Sequence, residues 1–302
     1  METHKINRIL IPVDFSETGL LALKHGAFMA RLFKADLYLL FVVEIIDFPF
    51  NLNTPVLITA HDYNAIEKSA TDKLESIAAD LKREGVINVI SIVTRGRVIS
   101  GIKEAAETNK IDIIVMGTHG AKGFDEYFIG SNAHKTVTIS PCPVITIQKH
   151  ATSMGFKNIV MPIDNSLHSR QKVNMVIDIA SKYGSEVHIL GLINSNEDID
   201  EKKFAIKIDS VEDVLKKARI SYLRKIVKGQ NLAVTAMEYS KEVNADLIVI
   251  MTEHESDLTG MFLGPFSKQI INHSSIPVMS IRPLEGKYQS ISLSGSSNPF
   301  LD

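Results

Sequence analysis

The chain has 302 residues, 45% of them hydrophobic, with 33 Lys+Arg against 35 Asp+Glu. That length is about twice the commonest domain size, so two domains are expected. The near-balance of charge, with a pI of about 6.6, gives no electrostatic reason to expect DNA or RNA as a partner. The single cysteine, Cys142, excludes an internal disulfide and a clustered thiolate metal site and fits a reducing compartment.

In chain order, METHKINRILIPVDFSE meets an acid at Asp14 before a long apolar run develops, so it reads as a first strand rather than a signal peptide. The apolar runs at 37–43 and 247–251 fall far short of the ~20 residues that cross a bilayer. The expected location is the cytoplasm, with no membrane span. Strand-like runs then alternate with helical patterns: strand 8–13, helix 17–33, strand 36–43, helix 63–84 closed by Gly85, strand 89–93, helix 98–108, strand 112–116, helix 131–139 and strand 144–147. The strands lack clean alternation, as expected when helices cover both faces of a parallel sheet. The fold class is therefore α/β, an open doubly wound parallel sheet. Residues 44–62 read as a long connection that could fold over the crevice.

The second half repeats the first. RILIPVDFS at 8–16 matches NIVMPIDNS at 158–166, an offset of 150, while IDIIVMGTHG at 111–120 matches ADLIVIMTEH at 245–254 and CPVITIQ at 142–148 matches IPVMSIR at 276–282, both at an offset of 134. The second repeat has thus lost 16 positions net between its first and fourth strands. Its elements read as strand 159–163, helix 170–183, strand 186–192, a long helix near 211–227, strand 233–236, a short helix, strand 246–251, helix 267–272 and strand 278–281. On that reading part of the loss lies between the third and fourth strands, because Val93 to Asp112 is 19 positions and Val234 to Asp246 only 12. The domains are then 1–150 and 151–284, with a Ser- and Gly-rich tail at 285–302 expected to be mobile or an extended arm.

GTHGAKGFDEYFIGSNAH at 117–134 follows a strand and carries the most chemistry. Gly117, Gly120 and Gly123 let the backbone turn and present N–H groups, and Gly130-Ser131 stands where a helix starts, so the segment can cradle a phosphate; it can equally be a long turn before a helix. It is neither a Walker A loop nor a GxGxxG fingerprint. At the end of the first strand Asp14 or Ser16 can cap the first helix, with Glu17 closing a box to Asp14, and Asp14 can also accept from a ribose hydroxyl or adenine amine. Gly96 is a turn glycine or a point of close ligand approach, and Arg95 and Arg97 read as solvated. In the second repeat Met251 and His254 replace Gly117 and Gly120, and Gly264-Pro265 replaces Gly130-Ser131, which should damage anion binding. The histidines show no HExxH or HxH arrangement, the loop around His254 reads as a solvated polar loop rather than a metal corner, no GxSxG elbow is present, and Cys142 in SPCP reads as a packing residue.

The pattern G-x2-G-x9-G-S, here Gly117, Gly120, Gly130 and Ser131, together with the ILIPVDFSE start and the CPVITI end, resembles the universal stress protein family, in its tandem class, over roughly residues 5–283. The resemblance implies two Rossmann-like domains of strand order 3-2-1-4-5, the second degenerate, packed as a pseudo-dimer. It implies ATP or AMP, with or without Mg²⁺, at the carboxyl ends of the first repeat's strands: Pro12, Val13 and Asp14 at the adenosine; Val43 beside adenine; Val93 and Gly96 on the base and ribose side; Met116, Gly117, His119 and Gly120 around ribose and phosphate; Gly130, Ser131 and Asn132 on the phosphates. It also implies a role in stress response or ligand-dependent signalling. With no placed general base, the expected module binds ATP rather than turning it over, and no catalytic or metal residue is assigned. Two alternatives stay open. One is a small-ligand or protein-interaction module using a second crevice lined by residues such as Met251 and Phe266; the other is a weak ATPase coupled to a partner. Further pairing into a homodimer is also open.

Overall fold

The computed structural model describes residues 5–45, 60–118, 129–166, 168–252, 254–257 and 260–283. The tail after 284 and the greater part of the connection at 44–62 lie outside them. The first half runs β1 (Arg8–Pro12), α1 (Glu17–Phe33), β2 (Asp36–Glu44), α2 (Ala60–Arg83), β3 (Val89–Gly96), α3 (Val98–Thr108), β4 (Ile113–Gly117), α4 (Ser131–Ile139) and β5 (Val144–Ile147). The second runs β6 (Asn158–Ile163), α5 (Val173–Tyr183), β7 (Glu186–Asn194), α6 (Glu201–Lys217), β8 (Ser221–Gly229), α7 (Leu232–Glu242), β9 (Leu247–Met251), β10 (His254–Asp257), β11 (Gly260–Leu263), α8 (Pro265–His273) and β12 (Val278–Ile281).

Among the described residues, ten strands form one sheet in the order β3-β2-β1-β4-β5-β12-β9-β6-β7-β8, and β10 and β11 pair as a separate antiparallel ribbon. Within each half the strands are parallel, giving the order 3-2-1-4-5 twice, and the halves meet where β5 pairs antiparallel with β12 through Thr146↔Val278, Ile145↔Met279 and Val144↔Ser280. All strands of one half therefore run opposite to those of the other, and the carboxyl ends of the two strand sets lie at opposite ends of the sheet. The buried Thr146 hydroxyl donates to the Val278 carbonyl across the seam at 3.3 Å, and Arg282 Nη1 reaches the Ser140 carbonyl at 3.4 Å.

Both sheet faces are covered. One apolar layer joins α1, α2, α5 and α6 to the sheet through residues such as Ala22, Leu74, Val176 and Phe204. The other joins α3, α4, α7 and α8 through Ile102, Val137, Ala236 and Ile270. Ile9, Ile113, Ile159 and Leu247, 0% exposed, sit in central strands that read as continuous apolar runs, and each such side chain contributes about 1.5–3 kcal/mol by leaving water. Where the halves touch near 150–156, His25 Nε2 bonds the Ala151 carbonyl at 2.7 Å and its ring stacks at 6.2 Å on Phe156, which packs on Tyr183. No helix among the described residues is long and apolar enough to cross a membrane.

The first half follows its predicted elements within a few residues. The second half departs from them most around β8: 221–229 is strand β8, not the end of a helix, and 233–236 lies inside helix α7, capped by Asn231, whose side chain accepts from Val234 N at 3.1 Å. The segment ARISYLRKIVKG spaces Ile220, Leu223 and Val227 like a helix face, but among the described residues β8 is an edge strand paired with β7 alone. Its polar side chains form ion pairs with neighbouring helices, Arg224 with Asp209 and Lys225 with Glu242, the charged edge that discourages further strand addition. Gly229 pairs with Asn194 as Gly96 pairs with Glu44. The connection between third and fourth strands is therefore one residue longer in the second half than in the first, and the expected deletion there is overturned. The lost residues come from the β2-to-β3 connection, where a 24-residue α2 and the segment 45–59 correspond to a 17-residue α6 and the segment 195–200.

Candidate functional site

β1 and β4 are neighbours, and the chain leaves them in opposite directions along the sheet. This is the switch point where open α/β sheets form a crevice beyond the strand carboxyl ends. In the first half Pro12 and Val13 end the strand, and Val13 N donates to the Leu40 carbonyl at 2.8 Å. Asp14 follows, exposed, accepting from Ser16 N at 3.0 Å and Ser16 Oγ at 2.6 Å, while Ser16 Oγ accepts from Gly19 N at 3.0 Å and caps α1. The local capping reading of Asp14 and Ser16 is present, with Ser16 as the cap and Asp14 orienting it. Phe15 between them has φ +57, a costly setting for an aromatic residue, with its ring 5.2 Å from that of Phe41.

Gly117 ends β4 against the first turn of α1. A Cβ there would lie 2.8 Å from the carbonyl carbon of Thr18 and 3.0 Å from Gly19 N, and one on Gly19 would lie 2.3 Å from Asp14 Oδ1. The two glycines let the start of α1 approach the strand ends closely. Beyond Gly117, Thr118 O accepts from Gly130 N at 2.6 Å, which ties the start of α4 to the end of β4. Gly130 supplies no side-chain cap, and Ser131 and Asn132 are exposed in the first turn, so backbone donors of a helix N-terminus stand at the crevice. Met116 and Val43 are buried nearby, at 6% and 3% exposed. Val93 pairs with Phe41, and Gly96, at φ +139, has open space where a Cβ would be. Arg95 is engaged by Glu67 at 2.9 Å through Nε. His119, Gly120 and Gly123 lie outside the described residues.

The second half starts alike and then diverges. Asp164 accepts from Ser166 N at 3.0 Å and Oγ at 2.7 Å, matching Asp14. Yet Gly19 has become Ser169 and Gly117 has become Met251, so neither close approach is open to this half. The helix retreats: α5 begins at Val173, six residues later than α1 on the same alignment, and its chain enters through turns such as Gln171 N to the His168 carbonyl at 2.9 Å. The space left is a cavity of about 290 Å³ lined by Pro162, Leu192, Met251 and Phe266 on its apolar side and by Asp164, Ser166, His168, Ser169 and Lys172 on its polar side. α8 begins with Pro265 after Gly264. The ribbon β10–β11 stands where the sequence suggested a polar loop at His254.

Lys172 is the residue that sequence reading overlooked. It aligns with Ala22, a core position of α1, and a lysine on the buried face of an amphipathic pattern is the signal that could have found it. It is 2% exposed, and its Nζ donates to the Ser169 carbonyl at 2.6 Å and to Ser169 Oγ at 3.3 Å. Burial pushes its ammonium down to about 8, and the Asp164 carboxylate opposes that shift. Cys142 is half-buried, its thiol raised to about 11 by desolvation, which makes it a poor nucleophile at neutral pH. Among the described residues no three His, Cys, Asp or Glu side chains converge on a metal-sized site.

Two doubly wound α/β halves, each with a crevice at its switch point and joined through their fifth strands, define a tandem Rossmann-like protein. The model of the Universal stress protein family matches residues 5–148 and again 155–282, and the chain belongs to that family. Among curated relatives, universal stress protein MJ0577 of Methanocaldococcus jannaschii is 29% identical over 154 residues, covering 47% of this chain and 94% of the relative. A universal stress protein of Mycolicibacterium smegmatis is 21% identical over 290 residues, covering 91% of this chain and 97% of its own length. The solved universal stress protein from Archaeoglobus fulgidus DSM 4304 superimposes with a TM-score of 0.75 at 20% identity, over 94% of this chain and 99% of that one, a likeness of fold.

Proposed function

We propose that residues 1–150 form a nucleotide-binding domain that holds ATP or AMP at the β1/β4 crevice, and that residues 151–284 form a degenerate domain that does not. The protein then acts as a stress-responsive regulatory module whose state follows nucleotide occupancy, in the cytoplasm. The observation that carries this reading is the start of α4, where a first turn without a side-chain cap is tied by Gly130 N to Thr118 O just past the end of β4, the neighbour of β1. A phosphate accepts from such N–H groups, and a helix dipole favours its charge. His119 and Gly120 complete the phosphate side of the proposed site, and Val43, Val93 and Gly96 its base and ribose side. Mg²⁺, where present, would come with the nucleotide. Incidental slow hydrolysis is compatible with this reading, and ATP turnover above the buffer rate would make it an activity.

Calorimetric titration of nucleotide-stripped protein with ATP, with and without Mg²⁺, should give one site per chain. Ser131→Pro, which places in the first half the proline found at Pro265, should weaken binding by about tenfold or more with little change in melting temperature, since proline is tolerated at the first helical position. Absence of binding, or two equal sites per chain, would overturn the reading. A second reading concerns the other half, where the cavity beside Met251 and Phe266 favours a small-ligand site distinct from the nucleotide crevice.

A further inference from the structure

We propose that the cavity of the second half binds a small organic monocarboxylate with an apolar body, its carboxylate held by the Lys172 ammonium and the neighbouring serine hydroxyls, its body against Pro162, Leu192, Met251 and Phe266. The proposal rests on the second-half reading above and names its ligand class. A buried ammonium carries three donors, and Lys172 spends them on two acceptors of a single residue, the carbonyl and hydroxyl of Ser169. A charge held this way in a largely apolar setting is costly unless an anion joins it.

Charge and size narrow the ligand. Asp164 is the carboxylate that faces Lys172, and it also bears on Lys207 of α6. Lys207 is bonded to the Asn165 carbonyl at 3.1 Å and is held below the usual lysine range by burial first and by Arg170 second. His168 lines the same cavity. One further single negative charge is accommodated beside these cations. A dianionic phosphate would meet Asp164 and would lack the first-turn N–H that Pro265 removes from α8. The volume of about 290 Å³ equals roughly ten waters at ~30 Å³ each, enough for a short chain or one ring. The first half cannot do the same: Ala22 holds the position of Lys172, and α1 fills the space.

The test uses the full chain and three probes of matched length, octanoate, 1-octanol and octylamine, titrated by calorimetry with and without saturating ATP. Octanoate should bind once per chain, at least about tenfold more tightly than the alcohol, with no binding of the amine and no effect of ATP. Lys172→Met should erase the preference for octanoate over octanol. Should that variant not fold, the wild type carries the test alone, because octanoate affinity should fall as pH rises from 7 to 9 while octanol affinity stays level. Equal binding of octanoate and octanol would leave an apolar site and overturn the anionic class. Binding of none of the probes would overturn the class and the second-half reading together. Displacement of octanoate by ATP would place the probe in the nucleotide crevice and likewise defeat the proposal.

Discussion

The two crevices begin from the same turn, Asp14 with Ser16 in one half and Asp164 with Ser166 in the other, bonded at nearly equal distances. They part because of two side chains. Gly19 and Gly117 let α1 start against the strand ends, whereas Ser169 and Met251 keep α5 from starting there. Phe15 takes a left-handed backbone in the first half, and Asn165 does not in the second. The glycine ending the fourth strand thus acts on the neighbouring helix as well as on any phosphate. Replacing it moves a helix start, and the vacated turn becomes a cavity with a lysine in its wall.

The largest effect is expected when the first half is made to resemble the second. Gly117→Met puts side-chain atoms where the backbone of Thr18 and Gly19 lies within 3.0 Å, and overpacking against backbone costs about 3 kcal/mol or more. Denaturant unfolding should show that loss, together with abolished nucleotide binding. A loss below 1 kcal/mol would mean that α1 is free to retreat and that the glycine is not what fixes its start.

Lys172→Met tests the other half and should stabilise the protein by about 1–3 kcal/mol at pH 7, because it removes a buried charge. The sign follows from linkage. With a folded value of about 8 against 10.5 for an ordinary lysine, the unfolded chain binds more protons between those limits. The wild type therefore bears the full penalty below pH 8 and recovers stability as pH rises toward about 10.5, so the variant's advantage should shrink over that window. An advantage that is independent of pH would show that the gain comes from packing alone. The smallest effect is expected for Gly96→Ala, about 1–2 kcal/mol from a side chain forced to φ +139.

Much of this molecule is legible in the chain. Helices α1, α3 and α4 carry their periodicity and end signals locally, and central strands such as 113–117 are apolar runs that need no alternation when both faces are covered. Strand β8 was not legible because its solvent-facing Lys and Arg residues break the apolar run, and its few hydrophobic residues fall at helical spacing. The site divides the same way. Gly130-Ser131 announces a helix start in sequence, and the lysine opposite Ala22 is visible in the repeat alignment. The surroundings of Lys172 depend on Met251, some eighty positions away in the chain, and no local pattern carries that. His119 and Gly120 rest on motif resemblance alone.

The seam between β5 and β12 has a consequence for how the protein responds to concentration. Two separate chains joined through such a short antiparallel pair would come apart on dilution, and each would then present an unpaired edge. Here the covalent link through 148–158 keeps the partners at a high effective concentration. The paired sheet, with its two crevices at opposite ends, therefore persists however few copies a cell contains.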